Sequence, residues 1–151
     1  MSPNLKAFLD MIAVSEGTKG RGGDDGYNIL YGGGTFKSYA DHPRQLLTFK
    51  IKGKPVTSTA AGRYQILARY FDVYKKQLGL PDFGHDSQDK IAIQLIRECQ
   101  ALKDIEFGRI DRAILKCKSR WASLPGAGYG QHEHDLPTLL SAYLKAGGTI
   151  A

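Results

Sequence analysis

A carboxyl stands where a helix should bury a side chain. Ser15-Glu16-Gly17-Thr18 closes a stretch, Asn4 to Val14, in which Leu5, Phe8, Leu9 and Ile12 recur at helical spacing. Continued at about 100° per residue, that apolar stripe has Glu16 on its midline. Gly17 supplies the residue that commonly ends a helix. A carboxyl on a core-facing stripe is partly desolvated, and desolvation disfavours its charged form. The pKa then rises, which makes Glu16 a candidate general acid near neutral pH. Spacing alone equally allows a frayed helix end with Glu16 turned into water.

Acid catalysis of this kind serves glycoside cleavage, where a protonated carboxylic acid commonly faces a second carboxylate about 5–9.5 Å away. Asp24 and Asp25 follow Glu16 across a glycine-rich loop. They are candidates for that second group, or ordinary loop aspartates. Ser58, Thr59, Tyr64, Gln65, Tyr129 and Gln131 carry the hydroxyls, amides and flat rings that hold sugars, and each also suits a turn or a packed core. Other chemistries find less support. No Gly-x-Ser-x-Gly elbow occurs, and neither cysteine is paired with a histidine by sequence. The glycines at 32–34 lack the Gly-Lys-Ser/Thr that would make a phosphate loop. His42, His85, His132 and His134 show no zinc-ligand spacing, so no metal or other cofactor is expected.

The elements that must position these residues read as helix, short strands, then four or so helices. Tyr27–Tyr31 and Thr35–Tyr39 predict a small hairpin around Gly32-Gly33-Gly34. Pro43 could open a short helical turn. Thr48–Val56 is a basic loop or strand-like finger carrying Lys50, Lys52 and Lys54. Helices are expected over about 62–78, from a cap at Asp86 to about Leu102, from Gly108 or Arg109 through Cys117, and over Leu136–Ala146 with Asp135 as cap. The class is α+β, one domain over 1–151, with a cleft between a helical part and a small sheet as the natural seat of a long substrate.

A net charge of +6 and a pI near 9.3 imply attraction to a polyanion: nucleic acid, an anionic membrane surface or an acidic wall polymer. No run approaches the ~20 apolar residues of a membrane-spanning helix. The N-terminus lacks a basic start followed by an apolar run, so synthesis in the cytoplasm is expected, with any export needing outside help. That compartment favours reduced thiols at Cys99 and Cys117.

Longer stretches carry a resemblance. Lys6-Ala-Phe-Leu-Asp-Met11 with Ser15-Glu-Gly-Thr18, Asp41-His-Pro-Arg44, Ala61-Gly-Arg-Tyr-Gln65, Lys76-Gln-Leu-Gly-Leu80 and Trp121-Ala-Ser-Leu-Pro-Gly-Ala-Gly-Tyr-Gly-Gln131 resemble, in order, the phage lambda endolysin family. The resemblance implies a lysozyme-like fold, a helical lobe plus a small antiparallel sheet lobe with a cleft between them. It implies a lytic transglycosylase that cuts the β-1,4 bond between N-acetylmuramic acid and N-acetylglucosamine in peptidoglycan, leaving 1,6-anhydro ends. Glu16 takes the catalytic position, and Tyr64, Gln65, Tyr129 and Gln131 take groove positions; Ser58 and Thr59 stay candidate substrate contacts by residue type alone. Peptidoglycan strands are the implied partner, with a holin for release from the host cytoplasm to the periplasmic wall. A monomer is expected, with no stable membrane insertion and no nucleic-acid partner. Asp24-Asp25 and the stretch 50–59 differ from the family pattern. The two aspartates keep open a hydrolytic muramidase that pairs Glu16 with Asp24 or Asp25. A basic nucleic-acid-binding domain and a non-catalytic wall-binding module are the alternatives from other classes.

Overall fold

The computed structural model describes residues 1–126 and 133–151. Among them are six helices, α1 (Pro3–Glu16), α2 (Ala68–Leu78), α3 (His85–Glu98), α4 (Leu102–Glu106), α5 (Ile110–Cys117) and α6 (Leu136–Lys145), with one antiparallel pair, β1 (Leu47–Ile51) and β2 (Lys54–Ser58). The class is α+β, as expected. The chain divides into two compact units: Met1–Gly17 with Ala92–Ala151, and Thr18–Ile91.

In the first unit α1 packs on α4 and α6, and α5 packs on the same two helices. The Ser2 hydroxyl accepts from the Leu5 N–H at 3.1 Å, and Pro3 opens the helix where a missing N–H costs nothing. Gly17, left-handed at φ 78°, closes it. Leu5, Ala7, Phe8, Leu9, Met11, Ile12 and Ala13 are all buried. The helix is therefore buried on most of its faces, with Lys6 outside, and is not the one-faced surface helix that the Leu5–Ile12 stripe predicts. Ile105, Ile110, Ile114, Leu139 and Tyr143 complete this core. Each such side chain contributes about 1.5–3 kcal/mol on full burial. At the other end, the Asp135 carboxylate accepts from the Thr138 N–H at 2.8 Å and starts α6, as its sequence position predicts.

The second unit holds the sheet, but at a different place from the expected hairpin. Around the three glycines there is only an isolated bridge, Ile29 with Thr35, while Leu30 bridges Ala61. The ladder forms in the basic finger, where Leu47 pairs with Ser58 and Ile51 with Lys54. Lys52 and Gly53, at φ 51° and 77°, make the two-residue loop. Two positive φ angles match the right-handed twist of the flanking strands. Pro43 opens no helical turn. His42 is instead buried, its Nε2 2.8 Å from the Ile66 carbonyl and its Nδ1 accepting from the Arg44 N–H at 2.9 Å. It is neutral there, since burial pushes its pKa down. Phe71 and Phe83 pack on its ring, and Arg44 pairs with Asp41 and Asp72 outside.

Two helix boundaries also differ from expectation. Ala61 and Ile66 exchange backbone hydrogen bonds, so residues 62–65 form a tight turn and α2 starts only at Ala68. The Thr59 hydroxyl accepts from the Ala68 N–H at 3.0 Å and does the work of a cap from nine residues upstream. The helix expected to reach Leu102 stops at Glu98, because Gln100 takes a left-handed conformation (φ 57°), and α4 restarts beyond it.

Candidate active site

Glu16 is the last residue of α1, and every residue from Leu5 to Ala13 except Lys6 is buried. Its own side chain is half-buried. Burial alone raises its pKa from 4.5 to about 8; no neighbouring charge or hydrogen bond contributes among the described residues. Glu16 is therefore protonated at neutral pH, with enough exposure to reach a substrate. Beside it Ser15 is buried, and its hydroxyl lies 2.7 Å from that of buried Ser123. This bond ties the end of α1 to the segment after α5, where Trp121 and Leu124 are also buried. Ser123 further accepts from the His134 N–H through its carbonyl at 2.9 Å. Gly126 N–H donates to the Glu133 carboxylate at 3.0 Å. Both ends of the segment holding Tyr129 and Gln131 are thus fixed to the unit that carries Glu16. Those two predicted contacts lie outside the described residues.

In the second unit the other predicted groups are already engaged. Tyr64 is 1 % exposed; its hydroxyl donates to Asp89 at 2.6 Å and accepts from Arg63 at 3.2 Å. It supports the unit from within and offers no face to a sugar. Gln65 is half-buried at φ 52°, its amide spent on the Gly62 carbonyl at 2.9 Å. The Ser58 hydroxyl accepts from the Ala60 N–H and that of Thr59 caps α2; both residues keep partial exposure.

Asp24 and Asp25 face two different sets of partners. Asp24 accepts from the Tyr39 hydroxyl and from His85 Nε2, the latter at 2.6 Å. Those bonds, Tyr39's first, hold its carboxyl below the usual range. His85 stacks flat on Tyr27 at 3.8 Å. Asp25 accepts from the Gly20 N–H at 2.7 Å and from Lys19, and pairs with Arg63 at 3.2 Å. Burial would raise its pKa, but the Gly20 bond and the charges of Arg63 and Lys19 outweigh it, so the carboxyl stays ionised.

The centre of this network is a residue that sequence reading passed over. Arg63 is 3 % exposed. Its guanidinium donates to the Asp25 carbonyl at 3.0 Å and lies over the rings of Tyr27 and Tyr64. Its own carbonyl accepts from the Thr18 hydroxyl, and its N–H donates to Gln88. Buried Gln88 also donates to the carbonyls of Tyr27 and Phe83. The only signal in the sequence was Arg63's place within Ala61-Gly-Arg-Tyr-Gln65. Among the described residues no group of three or more His, Cys, Asp or Glu could hold a metal ion.

Comparison with known proteins adds the family. The profile of the Endolysin family matches residues 6–150. The chain belongs to the endolysin family. It is 51 % identical to the endolysin of Escherichia phage lambda, over 96 % of this chain and 92 % of that protein. It is 50 % identical to the endolysin of Escherichia phage P2, over 98 % and 95 %. The structure of bacteriophage lambda lysozyme complexed with a chitohexasaccharide superposes with a TM-score of 0.95 at 49 % identity, covering 100 % of this chain and 98 % of the other. A second structure of lysozyme from bacteriophage lambda gives 0.91 at 48 % identity, with the same coverage. The fold of this endolysin-family chain is thus lysozyme-like, as the resemblance implies. No helix among its described residues is long and apolar enough to cross a membrane.

Proposed function

We propose that this chain is a peptidoglycan lytic transglycosylase in which Glu16 alone supplies the acid and the base. The observation that carries the reading is the half-buried Glu16 carboxyl, held protonated to about pH 8 by desolvation. It gives its proton to the glycosidic oxygen as the bond from that oxygen to C1 of N-acetylmuramic acid breaks. The resulting carboxylate then takes the proton from the sugar's own 6-hydroxyl as that oxygen closes on C1. An anhydro ring forms, no water is consumed, and Glu16 ends protonated as it began. The attack is intramolecular and gains from proximity.

The engagement of both loop aspartates favours this over the two-carboxylate hydrolase. Asp24 is bound by Tyr39 and His85, and Asp25 by Gly20, Lys19 and Arg63. A nucleophile so engaged would have to give up charge-assisted hydrogen bonds to attack. The complex of a 49 %-identical lysozyme with a chitohexasaccharide supports a β-1,4-linked amino-sugar substrate. The net charge of +6 would favour the anionic wall, and a separate membrane-permeabilising protein would give the chain access to it. The chain acts as a monomer in this reading. The test compares Glu16→Gln with Asp25→Asn on purified peptidoglycan. Loss of essentially all turnover in the first, with anhydro products persisting in the second, is expected. Reducing-end products that vanish with Asp25→Asn would establish the hydrolase instead.

A further inference from the structure

Cys99 and Cys117 have no part in the site described above, and the structure brings them together. Cys99 follows the last residue of α3 and is half-buried; Cys117 ends α5 and is fully buried. Both lie in the first unit. Two contacts join the segments that carry them. Arg120 Nη2 donates to Glu98 Oε1 at 3.0 Å, and Lys116 Nζ donates to the Gln100 carbonyl at 3.2 Å. Glu98 and Gln100 flank Cys99 on either side, and Lys116 and Arg120 lie on either side of Cys117. The cysteines are therefore bracketed by two cross-segment hydrogen bonds, and the two thiols are near enough for each to shift the other's titration.

We propose that Cys99 and Cys117 are a redox modification site, a dithiol that a disulfide oxidant converts into an intramolecular disulfide between the ends of α3 and α5. The order of events follows from the surroundings. The hydrogen bond from Cys117 and the charge of Arg120 hold the Cys99 thiol below its ordinary range, while the same bond and burial push Cys117 up. Cys99 is also the exposed member, so it attacks first. Its thiolate displaces one thiolate from a disulfide R–S–S–R and forms a mixed disulfide. Cys117 then loses its proton and attacks the Cys99 sulfur, expelling the second thiolate. The two cysteines give up two electrons and two protons, and R–S–S–R becomes two R–SH. The link closes residues 99–117 into a loop and tightens the unit that carries Glu16. That a wall-degrading enzyme would meet such an oxidant on leaving a reducing compartment rests on the function proposed above; the chemistry of the pair does not.

The test uses the folded full chain with oxidised glutathione at neutral pH. Intact mass should fall by two hydrogens with no adduct, and unreduced peptide mapping should give one fragment joining Cys99 to Cys117. Tm should rise by about 5 °C and return with reductant. Cys117→Ser should stop at a glutathione adduct on Cys99, and Cys99→Ser should take none. If Cys117→Ser fails to fold, a wild-type sample quenched early should carry its adduct on Cys99. A stable adduct on the wild type, unreacted thiols, or first modification at Cys117 would each overturn the proposal. None of these readouts uses lytic activity, so failure here is distinct from failure of the proposed reaction.

Discussion

Replacing Glu16 by Gln should abolish turnover and yet make the protein more stable, by an amount that grows with pH. The carboxyl titrates near 4.5 when exposed and at about 8 in the folded chain. Between those values the folded state holds a proton that the unfolded state has released. Stability therefore falls as pH rises through this window, the opposite of an ion-paired carboxylate. Each pH unit between the two values is worth about 1.4 kcal/mol, so the full cost above pH 8 is at most about 5 kcal/mol. At pH 7 it is about 3 kcal/mol, and the solvent contact that Glu16 keeps trims this to about 2–3 kcal/mol. Gln fills the same space and carries no charge, so Glu16→Gln escapes that cost. Urea unfolding of both proteins at pH 4, 7 and 9 measures it. The curves should nearly coincide at pH 4 and separate progressively, the variant being the more stable. A difference independent of pH, or a variant that loses ground as pH rises, would refute the assignment of Glu16 as a desolvated acid.

Other expectations follow from the same geometry. Wall-lytic activity should decline as pH rises through about 8, because the acid that starts the reaction is then ionised; a rate profile flat to pH 10 would contradict it. Arg63→Met removes the donor to the buried Tyr64 hydroxyl and to the Asp25 carbonyl, together with the ion pair to Asp25, costing about 1–3 kcal/mol in urea unfolding. Gly62→Ala meets φ +83° and would place its Cβ 2.3 Å from Gln88 Oε1, so Tm should drop by several degrees where a surface Gly→Ala change would not. Ser15→Ala should cost about 1–3 kcal/mol by leaving Ser123 unsatisfied in the interior. A double-mutant cycle with Ser123→Ala should recover part of that loss.

What could be read from the sequence divides by how local its cause is. Ser2, Gly17 and Asp135 act on their own helix ends, and the boundaries of α1 and α6 fall within two residues of expectation. The start of α2 was not legible because its cap, Thr59, lies nine residues upstream and is brought in by a backbone bridge. Tyr27–Tyr31 has strand composition, yet its backbone partners include Ala60 and Ala61, some thirty residues away. Conversely Lys52-Gly53 is a two-residue turn whose signal is weaker than Asn-Gly, so the true hairpin read equally as a loop or a strand-like finger. Glu16 lies at the end of a stripe that proved to be one side of a helix buried on most of its faces. Its desolvation comes from the burial of most of that helix and not from the stripe alone. Tyr64 and Arg63 show the limit most plainly. Neighbours in sequence, one was expected in a groove and the other was ignored, and both are core members of a single polar network.

The most direct test of Glu16 acting without water is digestion of purified peptidoglycan in water enriched in the heavy isotope of oxygen, followed by mass spectrometry of the released muropeptides. Attack by the sugar's own 6-hydroxyl predicts anhydro ends carrying none of the heavy oxygen from the first turnover onward. Reducing ends that carry one heavy oxygen at C1, formed by the wild-type chain without an anhydro precursor, would show that water is the nucleophile and that Glu16 works with a second carboxylate.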